Sequence, residues 1–159
     1  MRLRRRARTA EVFAESVVTV PGPVERVWSL LYSPSCAVAF GHAIDAWRDP
    51  VTPMGVGEIQ IYVTEVDGDR TTLRHRVLEL EEGRRALTES LDSQFREYAE
   101  TILTPVGDDG RVQVVHRGWF LLPRDTPEQI RSLLQEAVDQ WADDISKSVP
   151  GLCDPGQRT

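Results

Sequence analysis

The sequence predicts an α+β domain in which a curled antiparallel sheet wraps around a long C-terminal α-helix. Three observations lead there. Residues 126–148 place Ile130, Leu133, Leu134, Ala137, Val138, Trp141 and Ile145 at three- and four-residue steps, one stripe of a helix about 34 Å long. From Gly57 to Leu122 the pattern is instead alternating, broken by turn signals at 67–69, 82–83 and 105–110. Helices set apart from a run of hairpins imply α+β, and a sheet of that many twisted strands curls.

Each element follows in order. Glu11–Val20 has the β-branched content of a strand, but Phe13, Ser16, Val18 and Val20 do not alternate cleanly and leave its face open. Pro21, Gly22 and Pro23 break it. Val24, Val27, Trp28 and Leu31 then fall at helical spacing behind Pro23, and Ser33-Pro34-Ser35 ends this short helix. Cys36–Phe40 reads as one more helical turn, and His42–Met54 as an irregular connection. Ile59, Ile61 and Val63 alternate with Gln60, Tyr62 and Thr64, a half-buried strand. Further strands cover 71–81, 85–91, 95–104 and 111–122; on the last, Val112, Val114, His116, Gly118, Phe120 and Leu122 share a face. The long helix opens with Thr126 as cap, Pro127 at the first helical position and Gln129 completing a capping box. Val149-Pro150-Gly151 ends it. The domain is therefore 11–149, between a flexible basic segment (1–10) and a flexible tail (150–159). A long helix across a curled sheet leaves space unless large side chains fill it, and that space is the expected site.

Composition narrows the function class. At 159 residues, 40% apolar and 28% charged, the chain is one ordinary globular domain. Its net charge of −6 argues against a nucleic-acid partner. Five arginines fall within Met1–Arg8, so the other 151 residues carry 14 basic and 25 acidic side chains, a net of −11. No apolar run approaches the roughly 18 residues of a membrane span, and no apolar segment follows the arginines as a secretory signal requires. Two cysteines, Cys36 and Cys153, make neither a disulfide framework nor a metal quartet, and a reduced cytoplasmic protein is expected. The three histidines lack metal-binding spacing, so neither metal nor cofactor is expected. Eighteen arginines against one lysine and no asparagine point to a GC-rich, bacterial genome.

The order of elements resembles the helix-grip (SRPBCC) superfamily, which includes START lipid-transfer domains, birch-pollen-allergen-like proteins and polyketide cyclase/dehydrase-like proteins. The local match is nearest the last. It is carried by Val20–Trp28 (V-P-G-P-V-E-R-V-W), by Phe95–Tyr98 (F-R-E-Y) leading through Thr104-Pro105 and Gly110-Arg111-Val112 to Phe120, and by the terminal helix. The resemblance implies a deep apolar cavity between sheet and helix, used by relatives to bind lipids, isoprenoids or aromatic polyketides and by a minority for chemistry. The last strand of relatives often has an inward Trp where His116 stands here, with Trp119 displaced to the other face.

Several side chains are candidates for such a cavity. His116, titratable on an apolar face, is either a general base or a histidine hydrogen-bonded in the core. Tyr98 and Glu100, on one strand face, would polarise a carbonyl and remove an α-proton; alternatively Glu100 points outward to Arg85 or Arg117. His75 is expected at a solvated strand position, and His42 in a loop that can rim the cavity mouth. Trp28, Phe40, Trp47, Ile61, Val114, Phe120, Leu134, Val138 and Trp141 are the expected ligand contacts. Three functions remain: binding of a hydrophobic small molecule, polyketide cyclisation or dehydration, or a filled-cavity module that meets another protein. A homodimer is compatible with all three.

Overall fold

The computed structural model describes residues 9–156. Strand β1 (Thr9–Pro21) is followed by helices α1 (Val24–Leu31) and α2 (Cys36–Ala39), then strands β2 (Asp45–Arg48), β3 (Ile59–Val66), β4 (Asp69–Glu81), β5 (Arg85–Ser90), β6 (Arg96–Val106) and β7 (Arg111–Pro123), and helix α3 (Glu128–Cys153). The seven strands form one antiparallel sheet in the order β1-β7-β6-β5-β4-β3-β2. Its concave face carries α1, α2 and α3, so the α+β, curled-sheet expectation holds.

The inner face is set by simple alternation. On β7, Val112, Val114, His116, Phe120 and Leu122 are all buried, as their shared face predicts. Strand β1 also alternates: Val12, Ala14, Ser16 and Val20 are buried, while Phe13 and Val17 are exposed. Phe13 therefore points outward, which resolves a face the sequence leaves open. Helix α3 lies along β1, where Ser16 Oγ meets Ser146 Oγ at 2.7 Å. Gln135 donates to the Phe13 carbonyl at 2.8 Å, so the helix also occupies part of the free edge of β1.

Four expectations about element limits are corrected. The stretch His42–Met54 is not wholly irregular, because Asp45–Arg48 pairs with β3 as the outermost strand. Helix α3 does not end at Val149: it runs to Cys153 with Pro150 inside it. Pro150 removes one hydrogen bond near the helix end, but Val149 and Cys153 are both fully buried. Arg26 Nη2 donates to the Cys153 carbonyl at 2.7 Å, which fixes the last turn. Thr126 does not cap the helix; its hydroxyl donates to the Pro123 carbonyl, and Pro127 occupies the cap position. Residues 9–10 belong to β1 and 150–153 to α3 rather than to flexible ends, while the expectation for residues 1–8 and 157–159 falls outside the described residues.

The stripe on α3 is also shorter than the periodicity suggests. Val138, Ala142, Ile145, Val149 and Cys153 are buried, whereas Leu133 is 56% exposed and Ile130 lies at the surface. The first turns of α3 reach past the packed body. No helix among the described residues is long and apolar enough to cross a membrane.

Candidate functional site

A cavity of about 260 Å³ lies between the concave face of the sheet and the three helices. Its floor takes alternate residues from five strands: Gln60, Tyr62 and Thr64 on β3, Leu73 and His75 on β4, Ala86 and Thr88 on β5, Glu97, Ala99 and Thr101 on β6, and His116 on β7. Small side chains at 64, 86, 88, 99 and 101 leave the middle of the floor hollow. Trp28 and Leu31 of α1, Tyr32 at its C-terminal cap, Cys36 and Phe40 around α2, His42, and Trp141 and Ile145 of α3 form the roof.

All three histidines of the chain reach this one space. His116 is 5% exposed, and its Nδ1 is buried with no hydrogen-bond partner. Burial, reinforced by nearby His42, pulls its pKa down to about 4, so the ring is neutral at pH 7. Phe40 stands edge-on to His116 with centroids 6.0 Å apart and edge-on to His42 at the same distance. His42 lies over Trp141, with centroids 6.5 Å apart and planes 24° from parallel. His42 Nε2 sits 3.4 Å from Asp144 Oδ2 on α3, an ion-pair distance without the alignment of a full hydrogen bond. Burial lowers the pKa of His42, and the Asp144 contact partly offsets this.

Trp141 can lie so close to the sheet because residue 118 is glycine. A Cβ there would come within 2.9 Å of Trp141 Cζ3. The lack of a side chain, rather than an unusual backbone angle, is what this position supplies.

The opposite end of the cavity is polar and internally bonded. Tyr62 Oη donates to Gln60 Oε1 at 2.7 Å, and Gln60 Nε2 donates to Glu58 Oε1 at 3.0 Å. Arg48 Nε lies 3.1 Å from the same Glu58 oxygen. Tyr62 and His75 meet edge to face at 5.0 Å. Burial pulls the pKa of His75 down to about 4 and pushes the Glu97 carboxyl up, against a hydrogen bond from Ser93. Tyr32 stacks on Trp28 (5.0 Å, 10°) with the Arg48 guanidinium over its other face, yet its hydroxyl has no partner. Leu73, His75 and Glu97 also border a side hollow of about 300 Å³ reached past Phe95, Phe120 and Leu134.

The expected site residues thus divide. His116, Trp28, Phe40 and Trp141 line the cavity, and Phe120 and Leu134 line the side hollow. Val114 and Val138 are packed within the core and do not line the cavity, which corrects their expected role as ligand contacts. Four further expectations are overturned. Trp47 is 42% exposed on β2, the outer edge of the sheet, and Ile61, its register partner, shares its outward face. Tyr98 stacks on Trp119 at 5.5 Å on the convex face, which also confirms the outward placement of Trp119. Glu100 is buried on that face between Arg85 and Arg117, the outward alternative. Alternation explains all four: Gln60, Tyr62, Glu97, Ala99 and Thr101 take the inner positions instead. His75 faces the cavity rather than solvent. Its position two residues from Leu73, across from Gln60 on β3, was the available signal.

Among the described residues no group of three or more His, Cys, Asp or Glu side chains is arranged to hold a metal ion. Neither a protein-family profile nor a curated protein matches the sequence. Solved structures do. The aromatase/cyclase ZhuI from Streptomyces sp. R1128 is similar with a TM-score of 0.72 at 20% identity, over 94% of this chain and 98% of that one. The di-domain aromatase/cyclase StfQ from the steffimycin biosynthetic pathway gives 0.69 at 15% identity over 90% of this chain, which spans 50% of StfQ. Norcoclaurine synthase from Thalictrum flavum, solved with dopamine and hydroxybenzaldehyde, gives 0.63 at 12% identity over 88% and 87%. Identities this low speak to the fold alone: a curled seven-stranded sheet closed around a long C-terminal helix, the helix-grip fold.

Proposed function

We propose that this protein binds an oxygenated, mainly apolar small molecule in the central cavity. The observation that carries the reading is His116: a buried imidazole whose Nδ1 has no partner, on the wall of a cavity that mixes aromatic and hydrogen-bonding side chains. Buried polar atoms are rarely left unpaired, because each costs about 1–3 kcal/mol. A ligand oxygen bound beside His116 would give this atom a partner once the ring turns toward it, while Trp28, Phe40 and Trp141 would cover the ligand's apolar surface. Concave sites with a few polar groups among apolar ones suit such molecules. Native mass spectrometry of the purified protein is expected to show a bound compound. Ala99→Trp, which fills the floor, is expected to lose it while keeping the fold by circular dichroism. Retention of the compound by Ala99→Trp would place it elsewhere and overturn the reading.

A second reading, proton-transfer chemistry of the cyclase or dehydratase kind, is favoured by the His42–Asp144 contact. A carboxylate beside an imidazole orients it and supports the protonated form, as general acid–base catalysis requires. With Tyr98 and Glu100 on the convex face, His42, His75, Glu97 and His116 are the acid–base groups on the cavity wall. In D2O the protein is expected to accelerate exchange of the α-protons of 2-tetralone, followed by NMR. His42→Gln is expected to lose about a hundredfold of that rate while 2-tetralone still binds. No acceleration over buffer, with binding intact, leaves binding alone as the function.

A further inference from the structure

We infer that the cavity selects uncharged ligands and rejects carboxylates, which makes neutral phenols, ketones and amides its substrate class. This rests on the binding reading above and deepens it. None of the residues lining the cavity is lysine or arginine. The Arg48 guanidinium lies over the Tyr32 ring, 5.2 Å from its centroid, and is already committed to buried Glu58. The wall instead supplies Glu97, and the backing layer supplies Glu58 and Asp144. Among the described residues, the one Asp, Glu, Lys or Arg side chain on the wall itself is the acidic Glu97.

The three histidines do not change that sign. Burial keeps His75 and His116 neutral at pH 7, and the pKa of His42 is lowered as well. A bound carboxylate would therefore lose its hydration with no opposite charge to replace it. A hydroxyl, carbonyl or amide would lose much less, since Thr64, Thr88 and Thr101 on the wall carry neutral hydroxyls that can both donate and accept. Hydroxyls on three strands, β3, β5 and β6, suit a ligand with oxygens at more than one position.

The test uses a matched pair, 2-naphthamide and 2-naphthoate, which share shape and differ in charge. Calorimetric titration at pH 7 is expected to show 2-naphthamide binding at least about tenfold more tightly than 2-naphthoate. Glu97→Arg places a cation on the wall and is expected to reverse the preference; Glu97→Gln is expected to narrow it. Equal or tighter binding of 2-naphthoate by the unaltered protein overturns charge selection and leaves the binding reading standing. Failure of both compounds to bind, or binding that Ala99→Trp leaves unchanged, overturns the binding reading and the selection with it.

Discussion

Lowering the pH from 7 to 4 is expected to remove about 3 kcal/mol of stability through His116 alone. The direction follows from where the proton binds. Above the ordinary imidazole value of 6.5 the ring is neutral in both the folded and the unfolded chain. Below it the unfolded chain takes up a proton, whereas the buried ring resists until about pH 4. The unfolded state thus holds more protons across this window, and stability falls as pH falls. His42 and His75 act in the same direction. His116→Phe keeps an aromatic ring and removes both the titration and the unpaired Nδ1, so it is expected to match or exceed the parent at pH 7. Urea unfolding of the two proteins between pH 7 and 4 reads the difference. It should widen in favour of His116→Phe as the pH drops. Parallel profiles would mean that His116 does not titrate as a buried group.

The same residue shows how much of the site was legible in the sequence. On β7 alternation places His116 among Val112, Val114 and Leu122, and all are buried on the inner face. The rule fails on β3 and β6 for a physical reason. A strand that faces packed core puts its apolar set inward, but one that faces a binding cavity need not. On β3 the inner set is Gln60, Tyr62 and Thr64, while Ile59, Ile61 and Val63 face the other way. On β6 the outward set includes Tyr98, stacked on Trp119, and Glu100, held between two arginines. Choosing the more apolar or more reactive-looking face of these strands therefore chooses the wrong one. Register against β7 would have fixed it: Glu100 lies across from Arg117, one residue from His116 and so on the opposite face. The helix runs past Val149-Pro150-Gly151 because Pro150 is an end signal only when nothing holds the next turn, and Cys153 and Arg26 hold it. His42 reaches the cavity through a loop, where no periodicity can orient it.

Removing Trp141 is expected to be the other large effect, and its size should depend on Gly118. Trp141 packs against both halves of the core, lines the cavity, and rests on the sheet where Gly118 has no side chain. Trp141→Ala is expected to cost about 3 kcal/mol, the lower end for a large aromatic because the ring is only half-buried. Gly118→Ala is expected to cost about 1–3 kcal/mol, since its methyl would stand 2.9 Å from Trp141 Cζ3 and must push the indole off the sheet. The displaced ring moves into the cavity, so Gly118→Ala should also weaken 2-naphthamide binding. In the Trp141→Ala background the methyl meets no ring, and the same substitution should be close to neutral for stability. The double-mutant cycle then gives a coupling of about 1–3 kcal/mol between two residues 23 positions apart in sequence. Additive costs would show that Gly118 acts through its backbone instead. If Trp141→Ala changes stability but leaves 2-naphthamide affinity untouched, α3 contributes only core at this position. A change in both makes Trp141 part of the binding wall, with Gly118 setting how much room remains for the ligand.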